Sequence, residues 1–326
     1  MPAFSVPESS YAAVLNSVDK SCQGAAAIRS LSLKIPAAGV FALVGPDGAG
    51  KSTLLRMLCG LLTPDSGSLE VLGVSLPEGL AEVRHSLGYL SQHFSLYGDL
   101  SIDENIAFSA EIYGLKNYAG KRDELLDMTG LTPFRKRLAD RLSGGMRQKL
   151  ALVCTLVHNP RLILLDEPTN GVDPVSRREF WKLLRGLGEQ NITLVMSTPY
   201  LDEAERADTV AFLHEGRLLL SGSPGDIRRN WDRKIIEFFC DRNREAMSVL
   251  SRFYPEGELQ IFGDRVHLAV SQDGFEGEEA VSRLKKAGIS VKRSGTVRPG
   301  LENIFLSLIR KNSAEKSPAA SGHHHA

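Results

Sequence analysis

At 326 residues, with 42% hydrophobic and 24% charged residues, the chain is long enough for one large or two ordinary globular domains with a full core. Lys plus Arg equals Asp plus Glu, 39 against 39, so no global charge draws the protein to nucleic acid or anionic lipid. Four separated cysteines (Cys22, Cys59, Cys154, Cys240) without a Cys-x-x-Cys pair exclude a disulfide frame or cysteine-rich zinc site, and the sequence shows neither a signal peptide nor an apolar run of the roughly 18–20 residues that a membrane span needs. The expectation is a soluble cytoplasmic chain that reaches a membrane only through a partner.

Residues 1–10 are small, polar and proline-containing and read as a disordered leader. Phe41–Val44 is a short apolar run ending at Gly45, as in a buried parallel strand; Leu162–Leu165, Ile192–Met196 and Thr209–Leu213 repeat the pattern. Helical spacing fills Ser52–Leu61, Gly145–His158 and Pro174–Leu187 between them. Strands alternating with helices predict a doubly wound α/β domain over residues 11–230. The stretch from about 93 to 145 lacks buried-strand runs and is predicted to be an inserted helical subdomain.

Composition changes near Asn230. Residues 231–311 read as strand Lys234–Cys240, helix Asn243–Phe253, strands Glu258–Phe262 and Arg265–Val270, helix Gly277–Ala287 and strand Ile289–Arg293, the βαββαβ order of a small ferredoxin-like α+β domain. An amphipathic helix, Leu301–Ile309, follows; residues 312–326 form a polar tail whose His323–His325 are read as plain terminal sequence rather than a metal site. There is no internal repeat of 20–50 residues.

Gly45-Pro46-Asp47-Gly48-Ala49-Gly50-Lys51-Ser52 fits G-x-x-x-x-G-K-[ST] at every fixed position, between an apolar strand and a helix. Such glycines let successive N–H groups turn inward around an anion, and the helix adds its positive end. Lys51 is expected on the β- and γ-phosphates, the Ser52 hydroxyl on Mg²⁺ and Thr53 at the α-phosphate. Alone, the motif specifies a nucleoside triphosphate and no particular class. Asp166-Glu167 ends the Leu162 strand, where ligands of open α/β sheets sit. Asp166 is expected to hold Mg²⁺ through water, and Glu167 to orient or deprotonate the attacking water.

Leu142-Ser143-Gly144-Gly145-Met146-Arg147-Gln148 supplies a second anion nest at a helix start. Two such sites are one too many for a single nucleotide, so the second is expected to serve a nucleotide bound by another subunit. Here the chain resembles the ABC ATPase family: Leu142–Gln148 matches its signature motif, Gln92 its Q-loop glutamine and Asn170–Asp173 its D-loop, and the resemblance covers about residues 12–230. It implies a P-loop core that binds ATP and Mg²⁺, with Gln92 linking Mg²⁺ to the helical subdomain. It also implies a head-to-tail pair of nucleotide-binding domains, of the same or different chains. Each ATP would lie between one phosphate loop and Ser143–Gly145 of the other domain, with hydrolysis driving membrane-spanning permease subunits. Residues His93–Ile106 are the implied docking surface, where Phe94, Leu96, Tyr97 and Leu100 are either its apolar anchors or subdomain core. The runs Leu90–Asn105, Asp202–Glu205 and Arg298–Leu306 look like those of ABC-2 type, multidrug-export-like ATPases, which implies a peripheral place on the inner face of the plasma membrane and a regulatory role for the C-terminal domain.

The chain departs from that family twice. In Met196-Ser197-Thr198-Pro199-Tyr200, Pro199 stands where members carry the H-loop histidine; proline has no side-chain donor and no N–H. No aromatic stands near Ser21 or Cys22 to stack on adenine, and Tyr11 is far upstream. The expectation is an ATPase whose own site binds ATP and hydrolyses it weakly, against the reading that Ser197, Thr198 or a water fills the gap and hydrolysis is ordinary. The alternatives are a soluble ABC ATPase acting on nucleic acid, against which stand the zero net charge and the absence of coiled-coil, zinc or tandem-cassette insertions, and a non-catalytic ATP-sensing module.

Overall fold

The computed structural model describes residues 10–92, 96–254, 258–271 and 276–315. The chain opens with β1 (Tyr11–Cys22), β2 (Ala25–Pro36) and β3 (Gly39–Val44), then α1 (Lys51–Leu58), β4 (Ser66–Val71), β5 (Val74–Leu76), α2 (Leu80–Val83) and β6 (Leu87–Leu90). Helices α3 (Ile102–Ile112), α4 (Ala119–Thr129) and α5 (Gly144–Leu156) follow with no strand between them among the described residues. Next come β7 (Leu162–Asp166), α6 (Pro174–Glu189), β8 (Thr193–Thr198), α7 (Leu201–Ala204), β9 (Thr209–His214) and β10 (Arg217–Gly222). The remainder is α8 (Pro224–Arg229), β11 (Arg233–Cys240), α9 (Asn243–Leu250), β12 (Leu259–Phe262), β13 (Arg265–Ser271), α10 (Glu276–Lys286), β14 (Val291–Val297) and α11 (Leu301–Glu315).

The chain divides into two compact units, Met1–Ser221 and Gly222–Ala326. In the first, a six-stranded sheet runs β10-β9-β3-β8-β7-β6, with β3, β6, β7, β8 and β9 paired in parallel. Leu162–Leu165, Leu194–Met196 and Val210–Leu213 are all buried, which is why their sequence reads as unbroken apolar runs rather than alternation. Helices between them start at residues suited to satisfy free N–H groups: Ser101 caps α3 in a reciprocal capping box with Glu104, Ser143 caps α5, and Asp173 caps α6 ahead of Pro174.

A second sheet in this unit, of order β2-β1-β4-β5, has no counterpart in the sequence reading. Its pairing along β1 slips at several points, and Ser17 and Ser30 have φ of 47° and 45°. Bulges of this kind break the two-residue alternation by which a half-buried strand is recognised.

The second unit has the βαββαβ order over β11–β14, in an antiparallel sheet β12-β13-β11-β14. One face packs Ile236, Phe238, Val266 and Leu268 with Leu250 and Leu284 of α9 and α10. On strands β12 and β13, Gln260 and His267 bond to Asn303 of α11. The division falls at Ser221 rather than Asn230 because α8, capped by Ser223, packs against α11. Helix α11 runs on to Glu315, past the Ile309 end read from sequence and into the expected tail, since no proline or glycine interrupts Arg310–Glu315. The last strand lies at Val291–Val297 rather than Ile289–Arg293, because Ile289 is spent in the turn after α10. The leader except Ser10, residues 93–95 and residues 316–326 lie outside the described residues.

Candidate nucleotide-binding site

The loops of the site all leave the carboxyl ends of central strands. β3 pairs with β8 so that Val44 stands beside Thr198, and β8 pairs with β7 so that Ser197 stands beside Asp166. Gly45–Ser52, Asp166–Glu167 and Thr198–Pro199 therefore open on one rim. Two glycines of the loop admit no side chain. A Cβ on Gly45 would lie 2.3 Å from the Leu213 carbonyl oxygen, and Gly50 has φ 101° with the Ala27 carbonyl oxygen 2.5 Å from where its Cβ would be. Gly50 is also the N-cap of α1, so the loop closes onto the free N–H groups of the first helical turn.

Lys51 is buried; its Nζ donates to the carbonyls of Gly45 (2.8 Å) and Pro46 (3.1 Å) and stands 3.3 Å from Glu167 Oε1. Ser52 Oγ donates to Asp166 Oδ1 at 2.9 Å. Asp166 Oδ2 is buried and has no hydrogen-bond partner among the described residues. A buried carboxylate oxygen without a donor, beside a serine hydroxyl, is a fitting set of ligands for a hard divalent cation. Glu167 has φ 46°, a left-handed conformation costing roughly 1–3 kcal/mol for a side-chain-bearing residue. Its carboxylate accepts the amides of Gln92 (3.0 Å) and Asn170 (3.4 Å).

A cavity of about 540 Å³ spans Asp47–Thr53, Gln92, Glu167 and Asn170 and ends at Pro199 and Tyr200. That volume lies within the roughly 300–1,000 Å³ of small-molecule sites. Pro199 thus forms part of the cavity wall. Tyr11 does not line the cavity; its ring lies under Lys34 Nζ, 5.3 Å from the centroid. Ser143, Gly144 and Gly145 do not line it either. Ser143 and Gly144 are exposed, with Ser143 Oγ accepting the Met146 N–H at 3.3 Å. Asp173, after Asn170, accepts the N–H groups of Val175 and Ser176 at 3.0 Å, and its bonds from Ser176 hold the carboxyl below its usual range.

Sequence offered Ser197 only as a possible substitute for the missing histidine and did not foresee its ties to the acidic pair; Tyr200 and Glu203 it did not single out. Ser197 Oγ donates to Asp166 Oδ1 at 2.7 Å and accepts the Glu167 N–H at 2.9 Å, fastening both acidic residues. Tyr200 lines the cavity, and Glu203 lies buried behind it. The signal for Ser197 was a hydroxyl one residue before the end of a buried strand whose neighbour ends at Asp166; Glu203 gave none, being one acid in a run of charges.

A separate groove of about 310 Å³ is lined by Leu96, Tyr97, Phe108, Ile112, Tyr113 and Cys154 among others. Tyr97 and Ile112 are 48% and 67% exposed, and burial pushes the Cys154 thiol up to about 12. Leu100 is half-buried and does not line this groove; Phe94 lies outside the described residues.

A parallel sheet with a glycine-framed lysine loop and an Asp-Glu strand end defines a P-loop nucleotide-binding protein. Residues 28–170 match the ABC transporter family. The probable multidrug ABC transporter ATP-binding protein YbhF of Escherichia coli is 43% identical over 191 residues, 58% of this chain; the match spans only 33% of that protein's own length. The daunorubicin/doxorubicin resistance ATP-binding protein DrrA of Streptomyces peucetius is 32% identical over 304 residues, covering 90% of this chain and 91% of that one. The dimeric post-hydrolysis structure of the ATP-binding cassette MJ0796 bound to ADP and Pi superposes with a TM-score of 0.58 at 26% identity, covering 65% of this chain and 98% of that one. The chain belongs to the ABC transporter ATP-binding protein family, and these relatives include proteins of multidrug-export type.

Proposed function

We propose that this chain is the ATP-binding subunit of an export transporter, binding Mg-ATP at the interface with a second nucleotide-binding domain to drive membrane-spanning permease subunits. The supporting observation is that a single cavity is lined by Asp47–Thr53 of the phosphate loop and by Glu167, with Asp166 bonded to Ser52 at its edge, while the Ser143 helix start stands exposed outside it. On this reading the first-turn N–H groups of α1 and Lys51 bind the phosphates, and Ser52 and Asp166 hold Mg²⁺, with Gln92 beside them. When bound, the metal supplies positive charge across the phosphates. Glu167 accepts a proton from the attacking water. Ser143–Gly145 reach the terminal phosphate held by the other domain. Closure follows because the triphosphate binds the paired form better than the separated one. The apolar groove at Tyr97 and Ile112 is the permease surface, which puts the chain on the inner face of the membrane; the second unit is regulatory.

Affinity capture of the full chain from detergent-treated membranes tests the assignment. A membrane-spanning protein is expected to be retained, and Ile112→Asp, which places a charge in the groove, should reduce the capture at least about tenfold, since unpaired charges are costly at a buried interface. Capture of nothing that spans a membrane contradicts it.

Pro199 makes this site a weak hydrolyser, because proline brings neither a side-chain donor nor an N–H to the cavity wall after β8. Restoring one by Pro199→His is expected to raise single-turnover hydrolysis by about 10²-fold, the scale of one preorganised transition-state contact. A gain of only a few-fold would mean that other groups already fill the role.

A further inference from the structure

Behind the Pro199 wall lies a charge that the reaction above does not use. Glu203, on α7, is 0% exposed. Its Oε1 accepts the Thr169 hydroxyl at 2.6 Å and its Oε2 accepts the Thr198 hydroxyl at 2.7 Å. Thr169 sits between Glu167 and Asn170, the residue whose amide reaches Glu167 Oε2. Thr198 ends β8 immediately before Pro199, and its oxygen also accepts the Tyr200 N–H at 3.0 Å. The nearest cation, Arg177 of α6, has Nε 3.6 Å from Glu203 Oε1 and its guanidinium 4.4 Å from the centre of the Tyr200 ring.

A carboxylate without solvent contact is costly, and two threonines could have been packed there by an apolar side chain at lower cost. What an apolar residue cannot do is fix two hydroxyls from different strand ends at bonding distance from one rigid, planar group. We infer that Glu203 is a positioning residue. It staples the segment after Glu167 to the end of β8, and so sets where Glu167 and Asn170 stand relative to the Pro199–Tyr200 wall of the cavity. Arg177 balances the charge and, through Tyr200, carries the tie into α6.

The proposal rests on the nucleotide reading for its kinetic arm and stands apart from it in the other. In the full-length protein, Glu203→Gln and the isosteric Thr198→Val are each expected to lower single-turnover hydrolysis about tenfold while the MgATP Kd stays within about twofold, and Thr198→Ser, which returns the hydroxyl, should recover most of the rate. Hydrogen–deuterium exchange supplies the second arm: both variants should speed exchange over residues 168–173, although Thr198 belongs to another strand. Unchanged exchange there overturns the staple. So does a rate that falls only in step with Kd and Tm, as plain loss of packing would give. A parent without measurable hydrolysis, even as Pro199→His, counts against the catalytic reading alone and leaves the exchange result to decide this one.

Discussion

Lys51→Ala is expected to weaken MgATP binding by about 10²-fold or more in a calorimetric titration, because two separate losses add. The first is direct. A charge-assisted hydrogen bond is worth about 1.5–3 kcal/mol, so removing one or two from the phosphates accounts for roughly one to four powers of ten. The second loss comes from Glu167. Its carboxylate is 8% exposed and stands 3.3 Å from Lys51 Nζ; no other cation pairs with it among the described residues. Without Lys51 an unbalanced buried carboxylate faces an incoming polyphosphate, and like charges repel strongly where water is excluded. The two losses separate in a double-mutant cycle. Glu167→Gln alone should bind MgATP more tightly than the parent, since Lys51 is released from its resting partner, and in the Lys51→Ala background it should recover part of the lost affinity by removing the repulsion. Additive effects with no gain from Glu167→Gln would show that the Lys51–Glu167 ion pair does not oppose binding.

How far this site could be read beforehand depended on whether its chemistry is local in sequence. The phosphate loop is one octapeptide between a strand and a helix, and the acidic pair ends an apolar run, so each carries its own context. Four strands of the six-stranded sheet, β3, β7, β8 and β9, were legible for the same reason, since strands buried on both faces leave unbroken apolar runs such as Leu162–Leu165; β6 and β10, at the two edges, were not read. The β2-β1-β4-β5 sheet was not, because its register slips hide the alternation. The roles of Ser197 and Glu203 were missed because their meaning comes from pairing. Ser197 matters only when β8 lies beside β7 with Asp166 opposite, and Glu203 only when α7 brings it between Thr169 and Thr198. A serine in a strand and a glutamate in Asp202-Glu203-Ala204-Glu205 are ordinary until the fold places them.

Two chains disabled in different places should repair each other. Lys51→Ala removes the phosphate-loop ammonium and leaves Ser143–Gly145 whole; Ser143→Arg fills the exposed helix start with a long side chain and leaves the cavity whole, since none of Ser143–Gly145 lines it. Each variant alone is expected to lose ATP-driven association by about 10²-fold or more, because neither pairing of identical copies has both halves of a site. In a mixture, one of the two sites of each heteropair joins the intact cavity of one chain to the intact nest of the other, and association with MgATP should return, measured by sedimentation at equal chain concentrations. If Ser143–Gly145 instead served the nucleotide of their own chain, no mixture could assemble a whole site and it would stay as silent as its parts. The outcome therefore separates the two geometries by a gain of function, which loss of folding in either variant cannot imitate. A parent chain that itself fails to associate with ATP points to a non-identical second domain, and the same pair of variants should then be scored against that partner, where only one of the two sites is sensitive to each change.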